Sequence, residues 1–128
     1  MNWTAEQARA IELREKNILV AAAAGSGKTA VLVERIKKLI LEGECSIDRM
    51  LIVTFTNAAA AELRARIGQA LLRRCQQEPG NTALRRQRML LQRAPICTMD
   101  AFCLDLLHKH FQALDIPPPT VTVAVKRL

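Results

Sequence analysis

Apolar residues in this chain follow two patterns. Short uninterrupted runs alternate with longer stretches in which apolar side chains recur every three or four positions. The run Ile18-Leu19-Val20-Ala21-Ala22 has the length and composition of a short buried strand. Met50-Leu51-Ile52-Val53-Thr54-Phe55 predicts a second buried strand. Pro95-Ile96-Cys97-Thr98 predicts a short third strand or an extended entry to a helix.

The helical periods lie between these runs. Ala8 and Ile11, joined by Trp3, mark the inner side of a first helix. Leu32, Ile36, Leu39 and Ile40 mark the stripe of a second, which runs to about Glu42 and stops at Gly43. Leu63, Ile67, Ala70 and Leu71 define a third, starting at Ala58 behind Asn57 as N-cap. Glu78-Pro79-Gly80-Asn81 is the clearest break. Thr82 to Gln92 predicts an arginine-dense helix. Met99 to Leu114 predicts another, with Cys103, Leu106, Leu107 and Leu114 turned inward, ended stiffly by Ile116-Pro117-Pro118-Pro119. Val121, Val123 and Val125 then alternate as a last strand or extended tail. Strand, helix, strand in this order favours an α/β fold with a parallel sheet and right-handed crossovers.

Composition narrows the class. The 128 residues suffice for one compact domain with a core. No apolar run approaches the ~20 residues of a membrane span, so no membrane contact is expected. Met1-Asn2-Trp3 lacks the charged start and apolar core of a secretory signal, so a cytoplasmic location is expected. Cys45, Cys75, Cys97 and Cys103 show no C-x-x-C spacing and predict reduced, mostly buried thiols. His108 and His110 are two apart and would point to different faces of a helix, which argues against a shared metal.

Charge changes the picture further. The net charge is +7. Between Asn57 and Arg93, Arg64, Arg66, Arg73, Arg74, Arg85, Arg86, Arg88 and Arg93 stand against only Glu62 and Glu78. Clustered arginine is the electrostatic footprint of a polyanion partner, and equally the composition of a solvated helix face.

The candidate chemistry sits where the first apolar run meets the second helix. Ala22-Ala23-Ala24-Gly25-Ser26-Gly27-Lys28-Thr29 has the order strand, glycine-rich turn, helix that a phosphate-binding loop needs. Glycines let backbone N–H groups turn inward around phosphate oxygens. The positive end of the following helix points at the same anion. Lys28 supplies a mobile charge for the β- and γ-phosphates, and the Thr29 hydroxyl is a Mg²⁺ ligand. Ala22 occupies the place of the first glycine in G-x-x-x-x-G-K-[ST]. Gly25-x-Gly27-x-x-Ala30 also fits a dinucleotide-binding turn, but that fold expects an acid after the next strand, and Thr54-Phe55-Thr56 has none.

Upstream, Thr4 and Gln7 have capping-box spacing, while the Gln7 amide also suits the donor and acceptor edge of adenine. Downstream, Thr54-Phe55-Thr56-Asn57 leaves the carboxyl end of a strand, where open α/β sheets place ligands. Its hydroxyls, amide and ring suit phosphates and a stacked base. Taken by itself, Phe55 better fits a place in the core.

These blocks, with Thr98-Met99-Asp100-Ala101-Phe102-Cys103, together resemble the start of UvrD/Rep-type superfamily 1 DNA helicases. Asn17–Ile36 and Asp48–Ile67 look most like the helicase–nuclease subunits of that family, which work in double-strand break repair with a second, partner subunit. The resemblance implies a RecA-like P-loop NTPase fold, with residues 1–128 as the N-terminal part of the first motor domain, domain 1A. It implies that Gln7 reads adenine, that Ala22, Ala23, Ala24, Gly25, Ser26, Gly27, Lys28 and Thr29 hold ATP and Mg²⁺, and that Lys28 and Thr29 serve catalysis. It implies further that Thr54, Phe55, Thr56, Asn57 and Thr98 touch single-stranded DNA. The substrate would be single- or double-stranded DNA.

The chain departs from the family pattern at three places. Ala30 stands where many relatives have Arg, and Asp100 where they have His. No apolar strand ending in Asp-Glu occurs. The expectation is an N-terminal piece of a far longer ATP-driven translocase, inactive alone. The competing expectation is a free-standing basic nucleic-acid-binding module with a vestigial nucleotide loop.

Overall fold

A computed structural model describes residues 2–115. Helix α1 spans Ala5–Glu12 and α2 spans Lys28–Leu41. A 3-10 turn, Ile47–Arg49, leads into strand β1, Ile52–Thr54. Helix α3 spans Asn57–Gln77 and α4 spans Thr82–Leu90. A second 3-10 turn, Leu91–Arg93, leads into strand β2, Ile96–Thr98, and α5 follows over Met99–His110. A third 3-10 turn, Phe111–Leu114, extends α5. The strands pair in parallel, Ile52 with Ile96, Val53 with Cys97 and Thr54 with Thr98. This is the α/β, parallel arrangement expected, with the sheet reduced to two strands among the described residues.

Helix α3 is the hub. Ala60, Leu63, Ile67 and Leu71 recur along one face and are buried, Leu71 completely, at 0% exposure. Against them lie Ile36 and Ile40 of α2, Ile52, Leu84 of α4, Leu91, Ala94 and Ile96. Arg64 belongs to the same face but carries a charge. Its guanidinium donates to the carbonyls of Leu91, Ala94 (2.9 Å) and Ile96 (3.2 Å), fixing the entry to β2 onto α3. Arg64 is thereby withdrawn from the basic surface expected from composition. On α1, Ile11 is buried against α2. Arg35 of α2 donates to the carbonyls of Ala10 (2.8 Å) and Leu13 (2.8 Å), satisfying acceptors at the end of α1 that have no helical partner.

Several expectations change. Ile18–Ala22 forms no strand, and Leu19 is 94% exposed. A strand needs a neighbour to take its N–H and C=O groups, and neither β1 nor β2 pairs with this run. The second strand shortens to Ile52–Thr54. On α2 the buried positions are Val31, Ile36 and Ile40, while Leu32 faces outward. Helix α3 is capped by Thr56, whose hydroxyl accepts from Ala59 N–H at 3.1 Å, and Asn57 is its first helical residue. Helix α5 buries nothing. Cys103, Leu106, Leu107 and Leu114 are exposed, because no second layer covers them among the described residues. No cysteine is fully buried, and all are free. The expected tail strand at Val121–Val125 lies outside the described residues.

The contrast between neighbouring arginines on α3 is measurable. Arg64→Ala removes the charged donor shared by the carbonyls of Leu91, Ala94 and Ile96 and should cost about 2 kcal/mol in chemical denaturation. Arg66→Ala loses an exposed pair with Glu62 (2.6 Å) and should cost less than about 0.5 kcal/mol. Equal losses at the two positions would refute the bridging role given to Arg64.

Candidate functional site

The glycine-rich turn is built by two left-handed residues. Gly25 has φ 77° and Gly27 has φ 81°. Side-chain-bearing residues adopt that region at a cost of about 1–2 kcal/mol. Gly27 is also the N-cap of α2, and it has no side chain to cap the helix. The first amide groups of α2 are therefore left for another acceptor, and the first turn contains no acid to compete for it. Ser26 N–H donates to Ala23 C=O at 3.3 Å and tightens the turn. Lys28 folds back over the loop, its ammonium donating to the carbonyls of Ala22 (2.5 Å) and Ala23 (3.1 Å). Ala24 and Thr29 are exposed, with Thr29 in the first turn of α2.

Helix α1 is laid against this loop. Its capping box is complete: Thr4 Oγ1 accepts from Gln7 N–H at 3.2 Å, and Gln7 Oε1 accepts from Thr4 N–H at 3.0 Å. The same Gln7 amide then donates through Nε2 to Ser26 C=O at 3.3 Å. One side chain thus closes the helix cap and touches the glycine-rich turn. A cleft of about 160 Å³ opens here, lined by Thr4, Gln7, Val20, Ala22, Ser26 and Lys28 among others. The capping box was legible from spacing. The contact to Ser26 and the Lys28 fold-back were not, because both acceptors are backbone carbonyls that carry no sequence signal.

A second constellation lies at the carboxyl ends of the strands. The parallel register sets Thr54 beside Thr98. Thr54 Oγ1 donates to Thr56 C=O at 2.9 Å, and Thr98 Oγ1 accepts from Ala101 N–H at 3.2 Å as the cap of α5. Phe55 follows β1 with its ring wholly in solvent, at 105% exposure. The core position that the sequence favoured for Phe55 is thus not the one adopted, because the ring follows the end of β1 and packs on nothing. Asn57, two residues on, is exposed as well. Asp100 lies in the first turn of α5. Among the described residues no group of three or more His, Cys, Asp or Glu side chains is placed to hold a metal ion.

Parallel strands joined by a helical crossover, with a Gly-x-Gly-Lys-Thr turn opening a helix, define an α/β protein. The chain belongs to the family described as the UvrD/REP helicase N-terminal domain, which matches residues 3–126. It is 56% identical over 118 residues to AddA, the A-type subunit of the ATP-dependent helicase/nuclease, from Clostridium perfringens, covering 91% of this chain and 9% of that protein. The corresponding protein from Desulforamulus reducens is 58% identical, over 91% of this chain and 10% of its own length. That from Geobacillus thermodenitrificans is 57% identical with the same coverage. The chain thus spans 9–10% of the length of these relatives.

The turn and the ring give separable expectations for stability. Gly27→Ala should destabilise by about 1–2 kcal/mol because φ 81° is strained for alanine. Phe55→Ala should change stability by less than about 0.5 kcal/mol, since the ring is buried against nothing. A drop in Tm for Phe55→Ala as large as that of a core truncation would contradict the exposed placement.

Proposed function

We propose that this chain is the ATP-binding N-terminal part of a RecA-like motor domain, domain 1A, in an AddA-type DNA helicase/nuclease. The observation that carries this reading is the left-handed Gly25–Gly27 turn. It leads Lys28 and Thr29 into an uncapped, acid-free helix start with Gln7 laid against it. The residues fit ATP with Mg²⁺. Ala22 to Gly27 offer backbone, Lys28 a mobile cation and Thr29 an exposed hydroxyl for a hard cation whose other ligands are phosphate and water oxygens. Bound nucleotide supplies the phosphoryl group. Lys28 would exchange the carbonyls of Ala22 and Ala23 for phosphate oxygens, and Gln7 would offer its amide to adenine.

Single-stranded DNA would cross the carboxyl ends of β1 and β2, touching Thr54, Phe55, Thr56, Asn57 and Thr98. The exposed ring of Phe55, at the strand ends where Thr54 and Thr98 are paired, supports this. The longer relatives are named as helicase/nuclease subunits. A role in double-strand break repair in the cytoplasm, beside an AddB-like partner, follows from that likeness as part of the proposal. No helix among the described residues is long and apolar enough to cross a membrane.

Two measurements test this reading. The 128-residue chain should bind a fluorescent ATP analogue with Mg²⁺, with Lys28→Ala weakening binding at least about tenfold, yet should not turn ATP over. Its sequence contains no Asp-Glu pair, and an arginine finger alone is worth about 10³–10⁵ in rate. Strong DNA-stimulated turnover that Lys28→Ala abolishes would overturn the expected inactivity. Phe55→Ala should weaken single-strand binding by about 1–3 kcal/mol in fluorescence anisotropy, the value of one stacked base. Unchanged affinity would remove Phe55 from the proposed DNA contacts.

A further inference from the structure

The two parallel strands give the molecule two ends. The carboxyl end carries Thr54–Asn57 and Thr98. The amino end is built by the 3-10 turns Ile47–Arg49 and Leu91–Arg93, which precede β1 and β2, and by α4. These pieces are packed on one another. The Ile47 N–H donates to Gln87 Oε1 of α4 at 2.8 Å, and the Gln87 amide reaches the Ser46 hydroxyl at 3.0 Å.

The amino end is densely and one-sidedly charged. Residues 82–93 contain Arg85, Arg86, Arg88 and Arg93 and no acid. All of these arginines are exposed, because Leu84, Leu90 and Leu91 take the inner side of the element. Arg85 donates to Pro79 C=O. Among the described residues, Arg86, Arg88, Arg93 and the neighbouring exposed Arg49 have no carboxylate or carbonyl partner. Nearby acids do not cancel them. Glu78 is held by Arg74 at 2.5 Å, which leaves Asp48, bonded to the Ser46 hydroxyl. Elsewhere Arg64 is engaged on backbone, Arg66 on Glu62, and Arg14 on Glu42 and Glu44.

We propose that this end, Arg49 with Arg86, Arg88 and Arg93, is a second nucleic-acid surface that grips the phosphate backbone of a duplex, separate from the strand-end loops. Guanidiniums without counter-charges fit a lattice of phosphates, each taking one or two N–H groups. A single strand is the poorer fit, since non-specific single-strand binding relies on stacking rings. No Phe, Tyr or Trp occurs between Phe55 and Phe102, and Phe55 is at the opposite end. An acidic protein partner is also the poorer fit. Protein interfaces centre on apolar or aromatic anchors, and Met89 is the one exposed large apolar side chain of α4.

The test uses the 128-residue chain, duplex and single-stranded oligonucleotides, and a salt series in fluorescence anisotropy. Replacing Arg86, Arg88 and Arg93 by Gln together should weaken duplex binding about tenfold or more at low salt. It should also lower the duplex salt slope by about 0.9 for each phosphate contact removed. Arg73→Gln, on the flank of α3 that faces α2, should leave the duplex slope unchanged. Phe55→Ala should affect single strands and spare the duplex, so failure of the strand-end reading would be seen separately. Wild-type chain treated with an arginine-modifying dicarbonyl should be protected by duplex at Arg86, Arg88 and Arg93, a readout that needs no variant to fold. Unchanged duplex affinity and slope in the triple variant would overturn the proposal. So would equal modification with and without duplex, or displacement of duplex by polyglutamate at equal charge, which would assign the surface to a protein partner.

Discussion

Helix α3 presents Ala60, Leu63, Ile67 and Leu71 along one face, and the rest of the core is arranged around that face. Both strands, α2 and α4 pack on it. The strands are only three residues each, so their ladder alone is too small to hold them. What aligns them is shared burial, Ile52 and Ile96 against α3, together with the Arg64 guanidinium on the carbonyls of Leu91, Ala94 and Ile96. A charged group bonded to three carbonyls, two of which also take a backbone N–H, adds there to the hold that a further strand gives in a larger sheet.

That alignment sets where chemistry can occur. A register that pairs Thr54 with Thr98 gathers two loops, far apart in the chain, at one end of the sheet. The same register sends the 3-10 turns and the bare arginines of α4 to the other end. The proposed single-strand track and the proposed duplex surface are therefore separated by topology. The glycine-rich turn is held differently, by α1. Arg35 satisfies the end of that helix, and Gln7 closes its start while touching Ser26. Local helix capping and the position of the loop are thus joined in one side chain.

Local rules made much of this legible. Thr4-x-x-Gln7 announced a capping box because the hydrogen bonds close within one helical turn. Gly25-Ser26-Gly27-Lys28-Thr29 announced a glycine-rich turn into a helix, and the two glycines take the left-handed angles that side-chain-bearing residues take only at a cost. Gly43 ended α2 with φ 71°, and Glu78-Pro79-Gly80-Asn81 separated α3 from α4 as expected. The periodicity of Leu63, Ile67 and Leu71 identified the main buried face.

Tertiary structure decided what depends on a partner. Ile18–Ala22 has the composition of a strand, but pairing needs a neighbour, and among the described residues β1 and β2 bond only to each other. Leu106 and Leu107 have the spacing of a buried stripe, but burial needs a covering layer. Phe55 suited the core better by type, and its place just past the short β1 left its ring outward. Arginine composition could not separate Arg64, spent on backbone carbonyls, from Arg86 and Arg88, which meet water. Capping and turn geometry are closed within a few residues and so are written in the sequence. Strand pairing, side-chain burial and the partner of a long cation are set by what lies across space.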